Sequence, residues 1–415
     1  MFKKMLIANR GEIAVRIIRT CHELGIATVA LYQPADRGSL HVRLADQVVE
    51  LGTDFNDGAA ILAIAQQVGA DSIHPGYGFL AEEPAFLRLC EQAGIAVMAP
   101  PASVVERIQQ RGSQITSTLS DGGTPPLHRV FVQILADQHG NIVHLGEREG
   151  SLRFGGMRVV EESPAPCCLS EEQRRGICDA AIEMARLFDY VGIGTVEFGM
   201  DESGMFFFTV FKARIQTDHP IAETISGIDL VREQIRIAAG EPLGYTQLDI
   251  KLRGCAIACR ITAQDPNNNY LPSPGVAKHV RLPGGFRVRV DTYLYDGCNV
   301  PAEYDPLIAK LTVWGDTRAA CVARAARALD EFNISGVTTN LSVLKGIIND
   351  PNFVDGCYDS QLQIQPANQE NTNELRDLAI AAAILYIRRN QSFRPAAPER
   401  LQTGWHRSSR RMGES

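Results

Sequence analysis

The chain has 415 residues, of which 45% are hydrophobic and 21% charged, and its formal net charge is −7. This balance is typical of a folded protein of two or three domains, and the negative charge gives no general attraction to nucleic acid or to a lipid surface. No apolar run approaches the length of a membrane span, and the apolar stretch at the N-terminus is too short for a signal peptide. Ten scattered cysteines indicate free thiols, so we expect a cytoplasmic protein.

Residues 1–102 alternate between apolar strand patterns and amphipathic helix patterns. KMLIANRG predicts a buried strand that ends in a glycine turn, and EIAVRIIRTCHELG predicts a helix with a glycine at its C-terminus. IATVALYQ predicts the next strand. A second helix, the segment DSIHPGYG, a third helix and the strand IAVMAP follow. This order predicts a doubly wound parallel sheet.

Residues 103–250 follow a different pattern. A helix leads through the loop TPPLH to RVFVQILAD and IVHLGERE, which predict a hairpin, and a long helix precedes a second predicted hairpin, TVEFGM and FFFTVF. Residues 251–362 hold several strands and the helix AACVARAARALDEF, which predict a mixed β/α domain. Residues 363–415 predict a polar linker, an apolar helix over 373–389 and a basic, disordered tail.

Four short motifs occur in order along the chain: ANRGEIAVRIIR near the start, HPGYGFLAEE at 74–83, ARIQTDHP at 213–220 and YDPLIAKL at 304–311. With these motifs the chain resembles biotin carboxylase, the ATP-grasp component of acetyl-CoA carboxylase and its relatives. The resemblance implies an α/β and α+β architecture. Its parts are a pre-ATP-grasp domain with a doubly wound parallel sheet over 1–102, a truncated ATP-grasp domain over 103–250 and a C-terminal mixed β/α domain over 251–362.

The family's reaction uses ATP to activate bicarbonate and then carboxylates biotin. By resemblance, Asp218 stands at the position of the general base, where the family has the longer glutamate. Arg214 matches an active-site arginine, with Gln216 two residues on, and Arg289 matches the arginine that steadies the biotin enolate. A structural ion-pair network is the alternative interpretation of these residues. The candidate cofactor-binding positions are His74, Gly76, Tyr77 and His219.

Much of the family's ATP machinery has no counterpart in the sequence. The family inserts a lid subdomain where this chain has a short loop around residues 122–129, and so short a loop cannot form a subdomain. RFGGMRVV at 153–160 resembles a glycine loop, but no helix N-terminus follows it, so we predict no phosphate cradle there. By resemblance, Gln114 replaces a nucleotide-contacting lysine. Near the bicarbonate site Arg153, Phe154 and Gly156 replace a glutamine, an arginine and a histidine, whereas Arg158 keeps the charge of a lysine.

The magnesium ligands implied by the family are also incomplete. Glu197 matches one metal carboxylate, but the second position is Val210, and Lys212 stands where the family has an asparagine. Residues 210 and 212 share a face of their strand, so we expect Lys212 to pair with Glu197 and to replace the metal. The alternative is that Lys212 points to solvent. ATP and magnesium are therefore expected to be lost. No cofactor is assigned from the sequence, and biotin on a carrier protein is the remaining candidate.

Two further regions suggest contacts with other proteins. By resemblance, Arg19 and Glu23 face the partner in the family's dimer, and Trp314 and Arg318 lie on the other side of that interface. The alternative is that they are ordinary surface residues. The apolar helix over 373–389 must be buried either on its own domain or against a partner.

Three functions remain open from the sequence. The first is a biotin-carboxylase-like subunit without ATP turnover, acting as a structural or regulatory partner of an intact biotin carboxylase or of the biotin carboxyl carrier protein, as a homodimer or heterodimer. The second is an active ATP-dependent biotin carboxylase. The third is a binding module for biotin, carrier protein or bicarbonate. No nucleic-acid partner is expected.

Overall fold

A computed structural model describes residues 1–119, 127–166, 169–201, 203–364 and 372–391 of the chain. The chain divides into two compact units, residues 1–366 and 367–415. The side chain of Gln114, most of the short loop at 122–129, the cysteines at 167 and 168, and the basic tail beyond 391 lie outside the described residues. No helix in the described ranges is long and apolar enough to cross a membrane.

The N-terminal part of the first unit is a five-stranded parallel sheet of order β3-β2-β1-β4-β5. Its strands are β1 (Lys4–Ile7), β2 (Ala27–Tyr32), β3 (Gln47–Glu50), β4 (Ser72–His74) and β5 (Ala96–Val97). The helices between them are α1 (Gly11–Glu23), α2 (Leu40–Leu44), α3 (Gly58–Gln67) and α4 (Pro84–Gln92). The predicted parallel sheet is confirmed. Its polar edge strand β3 was not predicted.

The strand order reverses between β1 and β4, which brings two of the sequence motifs together. In open parallel sheets, ligands bind outside the carboxyl ends of the strands at such a reversal. Here Asn9, which follows β1, donates through Nδ2 to the carbonyls of Pro75 at 2.7 Å and Tyr77 at 2.8 Å, both in the loop after β4. Gly76 between them has φ +64°, and a Cβ there would lie 2.8 Å from Asn9 Nδ2. The glycine of HPGYG is therefore required by this close approach.

The second sheet has eight strands and spans the regions predicted as two domains. Its order is β12-β11-β6-β7-β10-β13-β20-β18. The strands are β6 (His128–Ala136), β7 (Ile142–Glu149), β10 (Val160–Ser163), β11 (Gly192–Met200), β12 (Phe206–Lys212), β13 (Cys255–Thr262), β18 (Val288–Thr292) and β20 (Leu307–Gly315). The pairing of β10 with β13 joins residues on both sides of position 250 into one sheet.

Short hairpins and helices complete the first unit. The two-stranded pairs are β8 (Arg153–Phe154) with β9 (Met157–Arg158), β14 (Gln264–Asp265) with β15 (Leu271–Pro272), β16 (Gly275–Ala277) with β19 (Cys298–Val300), and β17 (His279–Arg281) with β21 (Asn333–Ser335). The helices are α5 (Ala102–Leu119), α6 (Glu171–Leu187), α7 (His219–Ser226), α8 (Leu230–Ala238), α9 (Arg318–Glu331), α10 (Leu341–Asn349) and α11 (Pro351–Asp355).

The apolar face of the eight-stranded sheet forms a core with α6. Val130, Val132 and Ile134 of β6 are fully buried there, together with Ile177 and Ala181 of α6. The helix begins with a capping box, in which Ser170 and Gln173 bond each other's backbone N–H groups. Because side chains alternate along a strand, the residues between these valines and isoleucines point to the opposite face.

The second unit contributes one described element, α12 (Thr372–Gln391), which includes the predicted helix. Its apolar side chains Leu378, Leu385 and Tyr386 are exposed. A partner that covers this helix stays a prediction.

Candidate active site

The candidate active site lies on the polar face of the eight-stranded sheet. Strand register decides which side chains share this face. Glu197 on β11 lies opposite Phe131 on β6, and Phe131 lies opposite Arg148 on β7. Farther along the sheet, Arg260 on β13 lies opposite Lys310 on β20. In sheet order this face carries Lys212, Glu197, Phe131, Arg148, Glu161, Arg260, Lys310 and Asp291.

Glu197 is paired with an arginine that the sequence analysis did not consider. Nη1 of Arg129 lies 2.6 Å from Oε1 of Glu197. Val210 is directly opposite Glu197, as predicted, and Lys212 is opposite Thr195. The expected pair between Glu197 and Lys212 is therefore wrong. Arg129 lies on the neighbouring inner strand opposite Gly199, which has no side chain to separate the guanidinium from Glu197.

Lys212 shares the face with Glu197 but takes no part in that pair. Its side chain is half-buried, and it forms no ion pair with a described residue. The metal half of the predicted site thus consists of one carboxylate, one guanidinium bound to it and, on the same face, a lysine that forms no ion pair with a described residue.

Asp218, the candidate general base, is held by Arg260. Its side chain is 1% exposed, and Arg260 Nε donates to Oδ1 at 2.9 Å while a second guanidinium nitrogen contacts Oδ2. Burial alone would raise the pKa of Asp218, but the charge and hydrogen bonds of Arg260 outweigh burial and hold the pKa well below its usual range. Asp218 is therefore a firmly ionised carboxylate, and both of its oxygens contact Arg260.

A second buried carboxyl group, Glu161, lies beside Asp218. Arg148 Nε donates to Glu161 Oε2 at 2.8 Å, and its Nη2 donates to Gln216 Oε1 at 2.7 Å. Burial, and then the negative charge of Asp218, raise the pKa of Glu161 to about 7 against the neighbouring arginines. Glu161 and Asp218 interact closely enough to titrate as a pair, and the environment disfavours the ionised form of Glu161 while it favours the ionised form of Asp218.

Arg214 makes a different set of contacts from Gln216 and Asp218. Its Nε donates to Oε2 of Glu82 at 2.7 Å, and Oε1 of Glu82 accepts the backbone N–H of Ala213 at 2.8 Å. Glu82 belongs to the HPGYGFLAEE motif. Two of the four motifs therefore meet through this ion pair, which fixes the end of β12 to the N-terminal sheet.

Arg289 is held between two carboxylates. Its Nη1 lies 2.5 Å from Glu223 Oε2, and its Nε lies 2.8 Å from Asp291 Oδ2. Arg16 on α1 also contacts Glu223, at 3.0 Å. Burial opposes the charge of Arg289, but the two carboxylates raise its pKa above the ordinary value. Arg289, which matches the arginine on the biotin side of the family's site, therefore lies in a buried network of ion pairs.

A cavity of about 440 Å³ opens beside these strands. Tyr77, Arg214 and Arg260 line it, so the N-terminal loops and the second sheet contribute to one space. Tyr77 Oη donates to the carboxylate of Glu12, whose Oε2 lies 2.9 Å from Lys310 Nζ. Of the four candidate cofactor-binding residues, only Tyr77 lines this cavity.

The other three candidate cofactor-binding residues lie behind the cavity wall. His74 and His219 are fully buried, and Gly76 packs against Asn9. His74 Nδ1 accepts the N–H of Gly76 at 3.1 Å, and His219 Nδ1 donates to the carbonyl of Gln216 at 2.8 Å. Both histidines therefore have structural hydrogen bonds.

The segment RFGGMR forms a hairpin rather than a phosphate-binding helix start, as predicted. Arg153 lies opposite Arg158 across β8 and β9, and Gly155 and Gly156 both have positive φ in the two-residue turn. Phe154 packs into the C-terminal core. Arg158 is 3.2 Å from Glu161, so it belongs to the same charged face.

The predicted interface residues have different surroundings. Arg19 and Glu23 are exposed on α1, and Trp314 Nε1 donates to the carbonyl of Arg253 at 2.8 Å. Arg318 turns inward: its guanidinium lies 2.9 Å from Glu162 and donates to the carbonyl of Phe353 at 2.6 Å. This charge is satisfied within the chain, and the expectation that Arg318 faces a partner stays a prediction.

Sequence reasoning missed several residues of the polar face. Their signal is a charged residue in a strand that is otherwise apolar, as in CAIACRIT and LIAKL. A charge at such a position must find a partner, because an unpaired buried charge is strongly unfavourable. The missed residues on the strands are Arg129, Arg148, Glu161, Arg260 and Lys310, and their partners Glu12 and Arg16 on α1 and Glu82 before α4 were missed as well.

Profiles of three protein families match the chain in succession. "Biotin carboxylase, N-terminal domain" matches residues 1–105, "Carbamoyl-phosphate synthase L chain, ATP binding domain" matches 126–246, and "Biotin carboxylase C-terminal domain" matches 258–363.

Whole-chain relatives agree with these profiles. Biotin carboxylase 1 of Bacillus subtilis (strain 168) is 36% identical over 441 positions, covering 87% of this chain and 98% of the relative. Biotin carboxylase of Haemophilus influenzae is 38% identical over 437 positions, and the match covers 86% of this chain and 97% of the relative. A crystal structure of the biotin carboxylase domain dimer of Hydrogenobacter thermophilus 2-oxoglutarate carboxylase, in complex with MgADP, ADP and bicarbonate, superposes with a TM-score of 0.82 at 34% identity. It covers 87% of this chain and 97% of that one.

A parallel N-terminal sheet, an ATP-grasp domain and a C-terminal domain joined around one charged face define the ATP-grasp component of the biotin-dependent carboxylases. The chain belongs to the biotin carboxylase family.

Replacing His74 tests the buried environment at the end of β4. Burial, and then the charge of Arg16, lower the pKa of His74 to about 3, so protonation favours the unfolded chain. The neutral ring's contribution is fully present above the unfolded-state pKa, about 6.5, and is lost as pH falls towards 3. His74→Asn keeps an acceptor for Gly76. The decrease in the free energy of unfolding between pH 7 and pH 5 should therefore be about 2 kcal/mol smaller in His74→Asn than in the parent protein.

Urea unfolding at the two pH values measures this difference, with the exposed His279→Asn as the matched control. An unchanged pH dependence in His74→Asn would contradict the assignment.

Proposed function

We propose that this chain is a biotin carboxylase family subunit without ATP turnover, acting as a structural or regulatory partner in a biotin-dependent carboxylase, most simply acetyl-CoA carboxylase. Its partner would be an intact biotin carboxylase or the biotin carboxyl carrier protein. The observation that carries the proposal is the Arg129–Glu197 ion pair of 2.6 Å, because it places a fixed positive charge on the one matched metal carboxylate.

The surroundings of Glu197 do not fit a divalent cation. Magnesium needs oxygen ligands, and the residue directly opposite Glu197 is Val210. Among the described residues no group of three or more His, Cys, Asp or Glu side chains could hold a metal ion. Arg129 and Lys212 would also repel a cation at this position. We therefore derive no catalytic step through magnesium.

The length of the chain supports loss of the lid. Only residues 120–127 separate the end of α5 from the start of β6. The match to the Bacillus subtilis relative spans 441 positions, whereas 87% of 415 residues is about 361, so about 80 positions of the relative have no residue here. A gap of that size is on the scale of a small domain.

The candidate base supports the same conclusion. A general base must accept a proton from the substrate, and Arg260, which lowers the pKa of Asp218, makes this carboxylate a weak proton acceptor. Removing Asp218 from this pair would leave a buried, unpaired charge on Arg260, so the pair is also a structural requirement.

The substrate-side architecture that remains supports a partner role. The cavity lined by Tyr77 and Arg214 is large enough for a small-molecule group such as the biotin ring, which would bring its ureido nitrogen as the carboxyl acceptor. The exposed Arg19 and Glu23 keep the charges that match the family's dimer surface. The Hydrogenobacter thermophilus domain of similar fold is itself a dimer. The eight described cysteines are free, which supports a cytoplasmic location.

An active ATP-dependent biotin carboxylase is the second candidate. The observation that favours it is that Arg158, Arg214, Asp218 and Arg289 occupy the family's positions in a chain that is 36–38% identical to biotin carboxylases.

A phosphate-release assay separates the two candidates. Purified protein would be incubated with ATP, magnesium, bicarbonate and free biotin, beside an intact biotin carboxylase at the same concentration. We expect release no faster than without protein, because under this proposal the chain lacks the metal and lid contacts that stabilise transferring phosphate. Sustained release that depends on bicarbonate and biotin would establish the active enzyme instead.

A charge-reversal experiment tests the partner role. We expect the protein to sediment as a dimer or to co-purify with an intact biotin carboxylase, and Arg19→Glu to weaken that association at least about tenfold, since a like charge at an interface costs more than a kilocalorie per mole. Arg175→Glu, an equally exposed change on α6, is the control. A monomer that binds neither biotin carboxylase nor carrier protein would contradict the partner role.

A further inference from the structure

We propose that a cavity beside α8 binds a small, neutral and mostly apolar molecule through one hydrogen-bond donor, which the side-chain oxygen of Gln234 accepts. This cavity, here called the α8 cavity, has a volume of about 420 Å³. Among the described residues it shares no lining residue with the cavity beside Tyr77 and Arg214. It is therefore a second site, and ATP turnover or its loss does not bear on it.

The α8 cavity lies where the edge of the N-terminal sheet meets the second sheet. The edge strand β5 and the residues 99–101 that follow it form part of the wall, together with Leu87 and Glu91 of α4. The last turn of α8 and the start of β11 form another part. Because β5 has two residues and is followed by Pro100 and Pro101, which have no N–H groups, the strand cannot extend to close this edge.

The wall of the α8 cavity is mostly apolar. Its apolar side chains include Leu87, Ile95, Val97, Val191 and Ile237. Among the described residues that line it, none is a lysine or an arginine, and Glu91 is the one charged group. Phosphates and carboxylates bind where cationic donors are present, so this wall excludes anions such as ATP and bicarbonate.

Glu91 does not require a cationic ligand, because its charge has a role within the chain. Its Oε1 accepts the backbone N–H of Ala102 at 2.9 Å, at the first residue of α5. The N-terminus of a helix favours a carboxylate at this position. The chemistry of the wall therefore points to a neutral ligand.

Gln234 is the polar group that sets the specificity of the α8 cavity. It lies one turn before Ile237 and Ala238 on α8, so the three side chains share one face of the helix. Its side chain is 3% exposed, and its Nε2 donates to the carbonyl of Met98 at 2.7 Å. This bond fixes the amide orientation, since a flipped amide would bring two carbonyl oxygens together. The Oε1 atom is buried and has no hydrogen-bond partner among the described residues.

The unpartnered oxygen determines which ligands fit. A buried acceptor without a hydrogen bond is unfavourable, and a ligand that donates to it removes that cost. The bond to Met98 explains the nitrogen of Gln234 and leaves the oxygen for a ligand. An apolar molecule with one N–H group satisfies both the oxygen and the wall, as planar heterocycles such as indole do. The volume of the cavity is within the range of small-molecule sites, about 300–1,000 Å³.

Two probes that differ in the donor test the inference. Indole and N-methylindole would be titrated separately into the full chain by calorimetry. We expect indole to bind at least about tenfold more tightly, because the methyl group removes the donor and leaves Gln234 Oε1 unpaired in the complex. Millimolar ATP should not displace indole, since the wall has no cation for a phosphate.

Variants of α8 locate the site. Ala238→Leu places a larger side chain in the wall of the α8 cavity and should weaken indole binding at least about tenfold. Arg232→Leu, which adds the same side chain at an exposed position of the same helix, is the matched control and should leave the affinity unchanged. Gln234→Leu should bring the affinities for the two probes to within about twofold, because no acceptor remains. Thermal unfolding checks that each variant is folded, and Ala238→Leu tests the site even if Gln234→Leu does not fold.

Four outcomes would overturn the inference: no binding of indole at millimolar concentration, equal affinity of the parent protein for the two probes, displacement of indole by ATP, or undiminished binding by a folded Ala238→Leu variant. None of them depends on phosphate release, which tests the proposed function separately.

Discussion

A charge on the inner face of a sheet must have a partner, because removing one member of a buried ion pair costs about 3–5 kcal/mol. The alternation of side chains along the strands places such charges every second residue, and strand register then decides which of them meet. In the eight-stranded sheet, the result is a row of ion pairs that lie between the two large sheets of the first unit. The pairs are Arg129–Glu197, Arg148–Glu161, Arg260–Asp218, Lys310–Glu12 and Arg289–Glu223.

Under the proposed loss of ATP turnover, these pairs would let the fold persist. Arg260–Asp218 and Arg289–Glu223 tie the helix α7 to strands β13 and β18, so their loss would destabilise the chain whether or not it turns over ATP. A residue that matches a catalytic position is therefore weak support for catalysis here. By resemblance to the family, the contacts that only ATP needs are different: they involve the position of Val210 and the segment between α5 and β6.

The sequence predicted local features well and non-local contacts poorly. The parallel sheet followed from apolar periodicity, whereas β3 was missed because Gln47–Glu50 is polar and lies at an edge. The continuous eight-stranded sheet depends on β10 meeting β13, which are about a hundred residues apart and carry no shared local signal. The sequence predicted that the strand face carrying Val210 meets Glu197, because both residues belong to one hairpin. The pairing of Glu197 with Arg129 was not predicted, because it depends on the register with a third strand.

The central claim is that the Arg129 guanidinium occupies the place of a metal at Glu197. A crystal structure of the protein grown with manganese and a non-hydrolysable ATP analogue tests it directly, because manganese gives an anomalous signal. The account predicts no anomalous peak at Glu197 and an Arg129–Glu197 distance close to 2.6 Å. A manganese ion coordinated by Glu197, with Arg129 displaced, would contradict it.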